Sequence, residues 1–155
     1  MKITNLLFAA IALGLATGAS GQMKPEDQIK FRKAGYSFMS WNMGKLKGQL
    51  IDNPASFNKD QVAAAANVIA ATANSGMGAL FGPGTDKDVG SQKTRVKAEF
   101  FQQADEVKKL ALVFVKEANE LQKVAATGDA AAIKVQFGKT GESCKACHDK
   151  FRKDD

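Results

Sequence analysis

The segment Cys144-Lys145-Ala146-Cys147-His148 holds both cysteines and the single histidine of this 155-residue chain. On a helix, positions i, i+3 and i+4 lie on one face. Cys144, Cys147 and His148 then point the same way, together with Phe137, Gly141 and Phe151. Two thiols and an imidazole so placed match the needs of a covalently held haem. The thiols add across its vinyl groups as thioethers, and the adjacent imidazole reaches the iron as axial ligand.

Three other chemistries use similar residues. A redox Cys-x-x-Cys sits at a strand-to-helix turn of an α/β fold, whereas this one lies inside a helical pattern near the C-terminus. A structural zinc site needs four ligands, and no further Cys or His exists here. A disulfide between Cys144 and Cys147 would close so short a ring that it would stabilise little. One haem c is the reading that uses all three residues.

The exhausted histidine count constrains the iron's other face. A second imidazole cannot come from this chain, so the sixth position is open or takes Met, Lys, Tyr or water. Met39 and Met43 share a helical stripe with Tyr36, and each is a candidate sixth ligand or simple core filler. Met23 and Met77 are poorly placed.

These residues need elements to position them. Lys2, the apolar run Leu6 to Leu15 and the small residues from Ala16 to Gly21 have the layout of a secretory signal peptide, too short to span a bilayer. Cleavage after Gly21 leaves residues 22–155 as one domain, exported to the periplasm in a bacterium, where c-type haem is attached. The composition, 45% hydrophobic and 25% charged, excludes a disordered chain.

The exported part reads as four helices. Pro25, followed by Glu26 and Asp27, opens the first, which runs to about Gly48 with Ile29, Arg32, Tyr36, Met39 and Met43 along one stripe. Asn58 and Gln61 resemble a capping box for the second, which buries Val62, Ala65, Ala66, Ile69 and Ala73 and weakens at Ser75-Gly76. A Gly- and Pro-containing loop, 82–91, leads to a third helix over about 92–127. Its seam of Phe100, Ala104, Val107, Ala111, Phe114, Ala118, Leu121 and Ala125 has heptad spacing. Gly128 stops it, and Asp129 caps a fourth helix from Ala130 to about Arg152. No stretch alternates as a strand does. The expectation is an all-α, antiparallel up-down four-helix bundle with covalently bound haem in its core.

Several motifs extend the haem pentapeptide: Lys24-Pro25-Glu26-Asp27, Phe31-Arg32, Phe81-Gly82-Pro83-Gly84-Thr85, and Glu142 through Arg152. With them the chain resembles the cytochromes c′, the class II c-type family of four-helix bundles. The resemblance implies thioethers at Cys144 and Cys147 and an axial His148. It implies a propionate partner at Arg32, a haem contact at Lys33, and Tyr36 over the distal face. It places Arg152 beside the proximal imidazole and Arg95 as a further propionate partner. Taken alone, Arg32 is also readable as a solvated surface charge and Tyr36 as a core aromatic, although the place of Arg32 one turn before Tyr36 on the inward stripe favours the haem contact. The resemblance also implies a homodimer through the first helices, for which Phe38 or Trp41 could serve, although either could be core.

Two haem functions are open on these residues. One is a periplasmic protein with pentacoordinate high-spin iron that binds nitric oxide or carbon monoxide; the other is a low-spin electron carrier with Met39 or Met43 as sixth ligand. A non-haem structural bundle is the third reading. No catalytic constellation or phosphate-binding glycine motif accompanies the haem residues, so the chain does not read as an enzyme. The net charge of +6 is scattered among acids, with one Tyr and one Trp, which gives no nucleic-acid platform. The redox partner protein is not readable from the sequence.

Overall fold

A computed structural model describes residues 23–154; the expected signal peptide lies outside the described residues. Four long helices form the body: α1 (Pro25–Lys47), α2 (Lys59–Ala73), α4 (Ala104–Thr127) and α5 (Ala130–Phe151), with a single turn, α3 (Glu99–Gln102), before α4. Consecutive long helices pack on one another, α1 on α2, α2 on α4 and α4 on α5. This is the expected four-helix bundle.

The helix ends follow local chemistry. Pro25 takes the first turn of α1, with Glu26 and Asp27 beside it and Lys45 and Lys47 in the last turn. A π-helical turn, Gly48–Asp52, then extends α1 past the expected stop. The Asn58 side chain accepts from Gln61 N at 3.0 Å, as a cap should. Asn58 N donates at 2.8 Å to Gln49 Oε1, in the π turn, and not back to Gln61 as a full capping box would have it. Gly128 ends α4 at φ +78°, a left-handed cap that glycine adopts without a Cβ penalty. Asp129 Oδ1 accepts from the backbone N–H of Ala131 and Ala132 and starts α5.

The third predicted helix is shorter than expected. Residues 92–98 are not helical, and Gln103 breaks the chain again between α3 and α4. The physical reason is competition for backbone groups. Thr94 N donates to Asp88 Oδ1, Lys97 N to Phe151 O and Lys153 N to Arg95 O, while Val96 bridges to Arg152. The segment is therefore a strap laid across the C-terminal end of α5.

The bundle is solid at one end and hollow at the other. Leu46, Leu50, Val62, Ala65, Ala66, Ile69, Ala118, Leu121, Ala125 and Ile133 form a continuous buried core. The heptad seam of α4 is sealed only over that half. Towards its N-terminus Ala104 and Ala111 are exposed and Phe114 is half-buried, facing a cavity.

Candidate functional site

The hollow end is a cavity of about 720 Å³ between α1, the strap, α4 and α5, within the usual range for ligand sites. From α5, Gly141, Cys144, Cys147, His148 and Phe151 line it, the helical face that the spacing predicts. Phe137, expected on that face, packs against the solid core instead. From α1 come Arg32, Lys33, Tyr36, Met39 and Met43, and from the strap Lys93, Thr94, Arg95 and Val96. Every sequence-predicted site residue therefore lines one cavity.

The two thiols are free and half-buried, and burial pushes both above the ordinary thiol range. No group of three or more His, Cys, Asp or Glu side chains converges among the described residues, so a zinc cluster has no ligand set there. Burial, then the charge of Arg95, lowers the basicity of His148. Arg152 Nη1 lies 3.5 Å from His148 Nδ1. Metal-binding histidines usually offer this nitrogen to a carboxylate or carbonyl, which raises their basicity as ligands. A cation in that place withholds the effect.

Across the cavity, burial and then the nearby Cys147 push the Tyr36 phenol up to about 12. It remains a neutral phenol at ordinary pH. Its ring meets Phe81 edge-on at 6.4 Å, and Phe81 stacks on Phe100 at 4.4 Å. Phe100 in turn meets Phe151 at 5.7 Å, which closes an aromatic wall from α1 to α5. Met39 and Met43 both reach the cavity, whereas Met77 does not line it.

Arg32 is the least expected finding. It is 3% exposed, so the reading as a solvated surface charge is corrected. Its Nη1 donates to Leu80 O and Thr85 Oγ1, and its Nη2 to Thr85 O and Thr94 Oγ1, at 2.8–3.0 Å. The guanidinium also sits 4.5 Å above the Phe81 ring. Burial lowers its pKa, and no carboxylate among the described residues is paired with it. Lys33 is exposed at the rim and donates to Gln92 at 3.4 Å, while Arg95 is half-buried in the strap. The roles of Thr85, Thr94, Phe81 and Phe100 do not follow from the sequence alone. The signal available was an arginine on an inward helical stripe, which demands acceptors from elsewhere.

The lining suits a planar, largely apolar group with anionic arms. Among the described residues, five cationic side chains and no Asp or Glu line the cavity, and one of those cations is buried with its hydrogen bonds to Leu80, Thr85 and Thr94 all on neutral oxygens. A Cβ built on Gly141 would meet nothing within 4 Å, so the α5 face is open one turn before Cys144. Cys144 and Cys147 are the residues that would hold a haem covalently, and His148 the one that would meet its iron.

On α1, Phe38 and Trp41 are 50% and 58% exposed and stack on each other at 5.6 Å. Both are surface residues, which resolves the choice between surface and core. Among the described residues no helix is long and apolar enough to cross a membrane.

Comparison with known proteins agrees with this geometry. The cytochrome C' family model matches residues 27–152. Cytochrome c' of Allochromatium vinosum is 59% identical over 143 residues, covering 92% of this chain and 91% of that protein. The Rhodocyclus tenuis cytochrome c' is 56% identical, covering 85% and 98%. The crystal structure of cytochrome c' from Thermochromatium tepidum superimposes with TM-score 0.82 at 56% identity, covering 86% of this chain and 99% of that one. A cytochrome c' described by its ligand-controlled dimer dissociation superimposes equally well, at 59% identity and 85% and 98% coverage. More distant neighbours, 29% identical with TM-scores of 0.73, are variants of the Alcaligenes xylosoxidans protein bound to nitric oxide and to carbon monoxide. On its motif, its cavity and these relatives, the chain belongs to the cytochrome c′ family, whose members carry one covalently bound haem c.

Proposed function

We propose that this chain is an exported haem protein that binds a small uncharged gas, nitric oxide or carbon monoxide, at an iron left five-coordinate by the protein. The observation that carries the reading is the cavity in which His148 and both cysteines face Tyr36 across an aromatic space that no Asp or Glu among the described residues lines. The nitric oxide and carbon monoxide complexes of the Alcaligenes xylosoxidans variants support it by analogy.

Each residue has a part. Cys144 and Cys147 would anchor the haem, and His148 would offer its imidazole to the iron. When bound, the haem supplies an iron that cycles between ferric and ferrous and takes a diatomic ligand. Arg152, a cation beside His148 Nδ1, keeps that imidazole a modest donor. Arg32, Lys33 and Arg95 offset the propionate charges. Tyr36 would present a neutral ring to the haem, and with Phe81, Phe100 and Phe151 it makes the cavity wall apolar, which would disfavour water and anions at the iron. An apolar wall disfavours charged or strongly hydrated ligands, because their desolvation has no compensation there.

The signal-like residues 1–21 support export to the periplasm. The protein is read as a homodimer through α1, with a redox protein of unassigned identity as electron partner and no catalytic reaction of its own. A second reading is kept because Met39 and Met43 also line the cavity: a low-spin electron carrier with one of them as sixth ligand. Titration of the reduced protein with carbon monoxide and nitric oxide separates the two. A high-spin spectrum that shifts on gas addition supports the first. A low-spin spectrum with a methionine-to-iron charge-transfer band, unresponsive to gas, supports the second.

A further inference from the structure

The connection between α2 and α4 does more than join helices. It meets α1 at Arg32, through Thr85 and Thr94, and meets the end of α5 through the Val96–Arg152 bridge and the Lys97–Phe151 and Arg95–Lys153 backbone bonds. One strap thus touches both the buried cation on one side of the cavity and the residues just after His148 on the other.

The chemistry of Arg32 gives this a purpose. A buried cation is ordinarily paired with an anion, because an unpaired charge away from water is costly. Here the guanidinium has four N–H groups on neutral oxygens and no carboxylate partner among the described residues. Guanidinium has five such donors, so Nε–H remains. No fully buried side-chain nitrogen or oxygen among the described residues lacks a hydrogen bond, so Nε is not sealed off, and Arg32 is among the residues that line the cavity. Thr85 is itself fully buried. Its hydroxyl accepts from Arg32 and donates to Gly82 O at 2.9 Å, which fixes the direction of its lone pairs. The Thr94 hydroxyl accepts from both Arg32 and Val96 N, which ties the cation to the residue that bridges α5.

We propose that Thr85 and Thr94 are positioning residues, which hold the Arg32 guanidinium through neutral acceptors so that its uncompensated charge is spent on a carboxylate of the bound haem. The inference rests on the haem reading given above. Neutral acceptors are the essential feature: an Asp or Glu in either place would neutralise the cation before it met the ligand. A cation held at that edge disfavours the more positive ferric state, so it raises the reduction potential. Releasing the guanidinium towards water screens it and lets the potential fall.

The test uses the full-length exported holoprotein and its Thr85→Val, Thr94→Val, Thr94→Ser and Arg32→Gln variants. Covalent haem is read by alkaline pyridine spectra, fold by far-ultraviolet circular dichroism, and the ferric/ferrous midpoint by spectroelectrochemistry at pH 7. The expected order of midpoint is wild type equal to Thr94→Ser, then lower values for the two valine variants, and the lowest for Arg32→Gln. Valine keeps the shape of threonine and removes the acceptor, whereas serine keeps the acceptor and removes the methyl. An unchanged midpoint in both valine variants overturns the proposal, as does a fall in Thr94→Ser equal to that in Thr94→Val, which would make the role one of packing. An Arg32→Gln midpoint at the wild-type value overturns it as well. Wild-type protein without covalent haem would instead sink the underlying functional reading, and that outcome is distinguishable at the first measurement.

Discussion

Leu121 tests the division of the bundle into a solid and a hollow end. It is fully buried in the core cluster on α4, two turns beyond Phe114, which lines the cavity. Leu121→Ala removes three carbons, worth about 2.4 kcal/mol of transfer free energy at ~0.8 per methylene. The cavity left behind adds to this, for a total of about 3–4 kcal/mol, inside the measured range for buried Leu→Ala changes. Seven residues of helix separate Leu121 from Phe114, roughly 10 Å along the axis. Effects at that distance add with little coupling except through shared partners, here Ile69, Phe114 and Met43, which Leu121→Ala leaves intact. Urea unfolding of the holoprotein, followed by circular dichroism, should therefore show a lower midpoint with an unchanged slope, while the Soret spectrum and carbon monoxide affinity stay at wild-type values. A loss under about 1 kcal/mol would show that the packing at this end is not what holds the bundle. A changed gas affinity would show that the two ends are not separable.

The other expectations concern the cap, the strap and the α1 surface. Asp129→Ala removes the acceptor for two backbone N–H groups at the start of α5 and should cost about 1 kcal/mol, read as a lower thermal midpoint. The backbone N–H of Thr94, then Lys93, holds the Asp88 carboxyl below the usual carboxylate range. Its contribution is present in full above the unfolded carboxylate range and is lost as pH falls through the lower folded value. Acid unfolding of Asp88→Asn should therefore lack that part of the low-pH decline, and an acid titration identical to wild type would contradict it. Replacing both Phe38 and Trp41 by Glu should convert a dimer to a monomer in sedimentation velocity without altering the Soret band, because neither residue lines the cavity.

What the sequence made legible depended on how far apart the cooperating residues lie along it. Cys144, Cys147 and His148 are neighbours on one helical face, so their shared direction follows from helix geometry alone. The caps at Asn58 and Asp129 are equally local. The grip on Arg32 joins residues 53 and 62 positions apart, and no periodicity encodes such a contact. The same limit explains the strap. Residues 92–98 carry no strong helix breaker, and their helical reading fails because Asp88 and the end of α5 supply better partners for their backbone groups. Tertiary hydrogen bonds there override local propensity. The spacing of the α4 seam is right, yet towards its N-terminus Ala104 and Ala111 are exposed and Phe114 faces the cavity, since spacing reports direction and not what fills the space.

The coordination number of the iron in the ferric and ferrous states tests the central claim most directly. Resonance Raman and X-ray absorption spectra of the purified exported protein should show five ligands in both states, with His148 the only protein atom on the iron besides the haem nitrogens. A sixth ligand, identified as methionine sulfur and abolished by Met39→Leu or Met43→Leu, would contradict the account and make the protein an electron carrier.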